Sequence, residues 1–136
     1  MKKIKIGFVC VHNSCRSIMA EAICRDKYND LFEVYSAGTH KNENVNQDAI
    51  RTLKRNYNIE GDFSSKLIEN LPELDIVITM GCNVDCPNLP SKYREDFGID
   101  DPSFKEDSIF DLTSKIIELK IDILVLKLKQ NSIVVL

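Results

Sequence analysis

The sequence predicts an α/β fold: a three-layer sandwich around a four-stranded parallel sheet. Three observations carry this expectation. Strand-like runs alternate with helical patterns, the order that strand–helix–strand crossovers produce. No internal repeat or low-complexity stretch interrupts that order. Cys10, Cys82 and Asp101 each follow a predicted strand, at the edge where such sheets bind ligands.

The elements follow in chain order. "IKIGFVC" (4–10) is apolar and bounded by a polar turn, as a buried strand is. "SIMAEAICRDKY" (17–28) sets Ile18, Ala22 and Ile23 against charges and reads as a helix. "FEVYSAG" (32–38) is a second strand ended by Gly38. "NQDAIRTLKRNY" (46–57) is an amphipathic helix with Ala49, Ile50 and Leu53 inward, stopped by Asn56–Asn58. "SSKLIENL" (64–71) reads as a short serine-capped helix closed before Pro72. "DIVITM" (75–80) is a third buried strand, and "YREDFGI" (93–99) a weaker fourth. "DSIFDLTSKIIELKIDILVLKLK" (107–129) is a long helix with a broad apolar face. The segment 130–136 has no evident assignment.

At 136 residues, the chain (1–136) reads as a single domain with a real core. Its net charge of −3 supplies no basic face, which argues against nucleic acid as a partner. No apolar run approaches a membrane span. "MKKIKIGFVCV" begins like a signal peptide, but Lys5 breaks the apolar run and "HNSCRS" is no cleavage site. A cytoplasmic protein is expected, so the five cysteines read as reactive, metal-binding or buried rather than as a disulfide framework.

The stretch "CVHNSCRS" (10–17) is the chemical centre of the sequence. The thiolate, not the thiol, is the nucleophile, and helix-end amides with a nearby arginine stabilise it. The amides of Val11, His12, Asn13, Ser14, Cys15, Arg16 and Ser17 would cradle a tetrahedral oxyanion. Arg16 would add a planar fork, Ser17 a hydroxyl to the sulfur, and Asn13 a tolerated left-handed turn. The absence of a Walker lysine excludes a nucleotide P-loop. The plain alternative is a buried strand cysteine before an unrelated turn; the strand-to-helix placement and Ser17 weigh against it. His12 reads as an outward loop side chain, with substrate or partner contact as the alternative. Cys10, Cys15, Cys82 and Cys86 could in principle hold zinc, although structural zinc favours tighter pairs without an anion loop. No metal and no cofactor is therefore expected. Cys15 reads as packed inward, and Cys24 as core.

"CVHNSCRSIMAEA", "YSAG", "ITMGCNVDCPNLP" and "FGIDDPSFK" together resemble the arsenate reductases built on the low-molecular-weight protein tyrosine phosphatase fold, over residues 4 to 107. The resemblance implies that Cys10 attacks arsenate and Arg16 binds its oxygens. Asp101, immediately before Pro102, would protonate the departing oxygen. Phosphatase relatives often carry an aromatic residue after this proline, where this chain has Ser103. The resemblance also implies a relay in which Cys82 attacks Cys10 and releases arsenite. Cys86 then attacks Cys82, and thioredoxin or a low-molecular-weight thiol reduces the resulting disulfide. Only three residues separate Cys82 and Cys86. On a regular helix their Cβ atoms would be about 5–6 Å apart, whereas a disulfide needs roughly 3.5–4.5 Å. The segment must therefore be irregular or unwind on oxidation.

Phosphate and sulfate are the expected competing oxyanions. Some members of the family bind potassium beside the anion loop. Asn13, Glu21 and Ser36 match three of its ligands, and Lys66 falls where the fourth, an aspartate, would be. The alternative function is a low-molecular-weight protein tyrosine phosphatase hydrolysing phosphotyrosine through a Cys10 phosphoenzyme.

Overall fold

The computed structural model describes residues 2–40, 44–81 and 89–135. The strands are β1 (Ile4–Cys10), β2 (Phe32–Gly38), β3 (Ile76–Thr79) and β4 (Tyr93–Asp96). The helices are α1 (Arg16–Tyr28), α2 (Gln47–Tyr57) and α3 (Asp107–Lys129). The strands form one parallel sheet in the order β2-β1-β3-β4. Cys10 pairs with Gly38, Val9 with Thr79, and Thr79 with Asp96, so the carboxyl ends of all four strands lie in one row.

Alternation along β1 divides the core. Ile6 and Phe8 face one cluster with Ile76 and Ile78, and α1, α2 and α3 all contribute to it through Met19, Leu53 and Phe110 among others. Val9 faces the opposite side, with Leu74 and Val77, where Leu71 and Leu89 cover the sheet. Helix α2 begins as its sequence suggests: Asn46 Oδ1 accepts the Ala49 amide at 3.1 Å. It ends at Asn58, which takes the left-handed conformation.

Two expectations are corrected. The stretch 64–71 is not a helix; only Ile68–Asn70 forms a 3₁₀ turn, and Leu67 bridges in parallel to Gly38. Its backbone has other partners, since Lys66 donates to Asn13 Oδ1 at 2.8 Å and accepts from Gly38 at 2.8 Å. The fourth strand stops at Asp96 rather than residue 99, because Gly98 turns the chain at φ 61°. Helix α3 runs over 107–129 as expected, and it buries part of its broad apolar face. Phe110, Ile117, Ile121, Leu124 and Val125 enter the core, while Leu112, Ile116, Leu119, Ile123 and Leu126 are exposed.

The segment after α3 closes that helix. Asn131 is left-handed, and Ser132 donates to the Lys127 carbonyl at 2.9 Å. Val135 is buried, and its carbonyl accepts Lys92 Nζ at 3.2 Å. Among the described residues, no helix is long and apolar enough to cross a membrane.

Candidate active site

Cys10 ends β1 and is buried. Its sulfur accepts the Asn13 amide at 3.2 Å and lies 3.1 Å from Ser17 Oγ. Asn13, fully buried, has φ 49°, a conformation asparagine tolerates better than most residues. Its Oδ1 accepts the Lys66 amide, which fixes the orientation of the carboxamide. Its Nδ2 therefore donates to Ser17 Oγ, at 2.8 Å. With that oxygen already accepting, the Ser17 proton is free to point at the sulfur.

Four carbonyls at the loop between β1 and α1 are committed to other segments. Cys10 O accepts Thr39 N, Val11 O accepts His40 N, His12 O accepts Ser65 Oγ, and Ser14 O accepts Asn46 N. The amides are thus the groups available to an anion. No side chain caps α1 at Cys15, so its first-turn amides and its dipole face the same site.

Gly38 makes this loop possible. A Cβ there would lie 2.5 Å from Val11 O and 2.9 Å from Asn13 N, both backbone atoms that cannot swing aside. The sequence reading took Gly38 only as a strand end. The signal was its register opposite Cys10, which a sequence does not display.

Arg16 is half-buried, and its Nη1 donates to Met80 O at 2.9 Å and Ile99 O at 2.7 Å. Nε and Nη2 form the other edge, the pair a tetrahedral oxyanion would take. Asp101 is exposed, and its Oδ1 accepts both Ser103 N at 3.0 Å and Ser103 Oγ at 2.7 Å. Burial pushes its pKa up, but Ser103, Arg16 and His12 together hold it below the ordinary carboxylate value. His12 points outward, its ring centroid 6.1 Å from that of His40.

Behind the loop, buried Glu21 accepts Ser36 Oγ at 2.7 Å, Arg25 Nη2 at 2.9 Å and Lys66 Nζ at 3.4 Å. Lys66 Nζ also donates to Ser64 O at 2.7 Å. The four residues expected to support the loop, Asn13, Glu21, Ser36 and Lys66, thus form one connected group.

The cysteines separate by environment. Burial pushes the thiol of Cys15 up to about 12, with the charge of Asp101 adding to it and Arg16 opposing. Burial likewise pushes Cys24 up to about 12. Both are thiols at neutral pH and poor nucleophiles. Cys82 and Cys86 lie outside the described residues. The chain leading to Cys82 is fixed by Asp96, whose Oδ1 accepts Thr79 Oγ1 at 2.6 Å and Gly81 N at 2.8 Å. Asp96 carries no signal in the sequence, because it acts through Thr79 and Gly81, which only the fold brings to it; Ser103 stands out there only as the residue after Pro102, not as a partner of Asp101. Among the described residues no group of three or more His, Cys, Asp or Glu could hold a metal.

This architecture defines a class: enzymes that join a cysteine sulfur to the centre of a tetrahedral oxyanion at a strand-to-helix loop. Residues 5–133 match the family described as low molecular weight phosphotyrosine protein phosphatase, and the chain belongs to it. An arsenate reductase of Staphylococcus xylosus is 38% identical over 127 residues, covering 90% of this chain and 96% of that one. A solved arsenate reductase in the phosphate binding state is 29% identical with a TM-score of 0.80, covering 91% of this chain and 98% of its own. An arsenate reductase solved in the oxidised state is 27% identical with a TM-score of 0.77, covering 90% and 97%.

Proposed function

We propose that the chain is an arsenate reductase in which Cys10, Cys82 and Cys86 form a disulfide relay. The observation that carries the reading is the Cys10 sulfur, held by the Asn13 amide and Ser17 at the uncapped start of α1. Arsenate enters the loop with two oxygens on Arg16. The Cys10 thiolate attacks arsenic(V), and an arsenate oxygen leaves as water after Asp101 supplies a proton. The Cys82 thiolate then attacks the Cys10 sulfur. The sulfur–arsenic bond breaks with its electron pair moving to arsenic, which departs as arsenite, arsenic(III). A Cys10–Cys82 disulfide remains. Cys86 attacks Cys82, frees Cys10, and leaves a Cys82–Cys86 disulfide for reduction by thioredoxin or a low-molecular-weight thiol.

The link from active-site loop to second cysteine is short. Arg16 holds the Met80 carbonyl, and Cys82 is two residues further along the chain. Lys66 takes the role of a potassium ion, its ammonium neutralising Glu21 behind Asn13. Phosphate and sulfate would compete for the loop. We place the reaction in the cytoplasm, where the thiols stay reduced between turnovers.

Mass spectrometry of reduced protein after a single arsenate addition tests the relay. Cys86→Ser should release about one arsenite per chain and stall as a Cys10–Cys82 disulfide. Cys82→Ser should stall earlier, with arsenite retained or unformed. Full multiple turnover by both variants overturns the relay. Hydrolysis of a phosphotyrosine analogue that neither substitution changes, with no arsenate-driven disulfide, would assign phosphatase chemistry instead.

A further inference from the structure

Every large apolar side chain exposed among the described residues lies on α3 or just beyond its ends: Phe104, Leu112, Ile116, Leu119, Ile123, Leu126 and Val134. On the helix these are not scattered. Ile109, Leu112, Ile116, Leu119, Ile123 and Leu126 recur at alternating spacings of three and four. Isoleucine and leucine alternate strictly, giving three heptads with Ile at one seam position and Leu at the other. Leu119 is 58% exposed and Leu112 56%, so this seam is separate from the face that fills the core. It runs along most of the helix, from Ile109 to Leu126.

We infer that this seam is a two-fold interface, on which α3 of a second copy of the chain packs antiparallel. A seam of this period fits another helix with the same period, knobs into holes, and a second copy supplies one at no extra requirement. Charge selects the direction. Parallel packing would set Lys115 against Lys120 of the second copy on both sides, a like-charge pair that cancels its one opposite-charge pair, Asp122 with Lys127. Antiparallel packing centred between Ile116 and Leu119 matches Ile109 with Leu126, Leu112 with Ile123 and Ile116 with Leu119 of the second copy. The same register brings Glu106 to Lys127 and Lys115 to Asp122 of the second copy, each pair occurring twice. Within its own chain Asp122 accepts Lys27 and Tyr28 closely, while Lys127 lies 3.9 Å from Glu95, so Glu106–Lys127 carries more of this preference than Lys115–Asp122. The packing also brings Phe104, just before α3 of one copy, toward the segment after α3 of the other.

One consequence reaches the active site. A groove of about 640 Å³ separates the first half of α3 from the turn carrying Asp101, and Ile109, Leu112 and Ile116 line it. In the dimer, Ile123 and Leu126 of the second copy close that groove.

Sedimentation of the reduced full chain, from about 1 to about 100 μM, tests the interface. The native chain should dimerise in this range. Leu119→Lys, at the centre of the seam, should weaken dimerisation by at least about tenfold with unchanged far-UV circular dichroism. Glu106→Lys should weaken it several-fold, and adding Lys127→Glu should restore it. This pair keeps the test open if Leu119→Lys disturbs folding. A monomer throughout the range overturns the proposal, as does a dimer that survives Leu119→Lys intact. Failure of the charge swap to restore dimerisation overturns the antiparallel register. A monomer that floats with vesicles of anionic lipid would assign the seam to a membrane surface and overturn the second copy.

Discussion

Around Cys10, loop carbonyls are held by Thr39, His40, Asn46 and Ser65, from three other parts of the chain. Asp101 stands on an exposed turn, and the bonds it accepts come from Ser103, two residues along. The contrast follows the chemistry. A nucleophile must meet an anion in a cradle already formed, because reordering backbone dipoles during the reaction would forfeit their advantage. A proton donor has to deliver its proton and then withdraw from the product, so a local tether suits it better. Rigidity is therefore concentrated on one side of the site.

The contrast can be broken from either side. The largest effect is expected for Asp101→Asn, which cannot protonate a leaving oxygen and should lose roughly 100- to 10,000-fold in turnover. Oxyanion binding, read by phosphate competition, should hold or improve because a nearby negative charge is gone. Unchanged turnover would move the acid role to Asp100 or to no residue.

Gly38→Ala attacks the rigid side without touching a reacting group. The added methyl meets Val11 O and Asn13 N, so the loop must shift, at a cost of about 1–3 kcal/mol of stability. We expect a lower melting temperature and a loss of about 10- to 100-fold in kcat/KM, since small misplacements of a preorganised site are expensive. A variant matching the native enzyme in both would show that the loop yields more readily than its bonding implies.

Ser103→Ala loosens the locally tethered side. The serine hydroxyl stabilises the Asp101 carboxylate and so lowers its pKa; removing it raises that pKa. The acid needs its proton to act, so the descending limb of the pH–rate profile should move to higher pH. At neutral pH the rate should rise, within about tenfold. A limb that stays put would mean that Asp101 is not the titrating acid.

The smallest effect is expected behind the loop. Lys66→Asp replaces the ammonium with a carboxylate beside Glu21, and should make stability and activity depend on potassium over sodium. The native protein should show little such preference. Lys66 is partly exposed, so the stability change should be modest, about 1 kcal/mol or less. A strong potassium response in the native protein would remove Lys66 from this role.

Much of the placement of these residues is legible in the sequence. Cys10 ends a strand that its apolar run announces, Arg16 lies on the first turn of the helix that follows it, and strand ends in parallel sheets converge. What stayed hidden depends on partners distant in sequence. Residues 64–71 carry helical composition, yet their backbone is bound to Asn13 and Gly38, and nothing local reports that. Gly38 reads as punctuation until pairing places it under the loop. In α3, two apolar faces overlap in the same stretch, and periodicity alone cannot say which one meets the core. That assignment comes from where α1 and α2 happen to lie.

Arg16 has a consequence for what evolution or an engineer can substitute there. Its guanidinium reaches the chain after β3 and the chain after β4 with one nitrogen, and offers a second edge to the anion. It is a keystone spanning three loops as well as a positive charge. Lysine would preserve the charge as a single point, but it has no planar fork with which to brace two carbonyls and present a flat edge at once. The position therefore tolerates no exchange by charge alone: an arch that loses its keystone loses its shape before it loses its load.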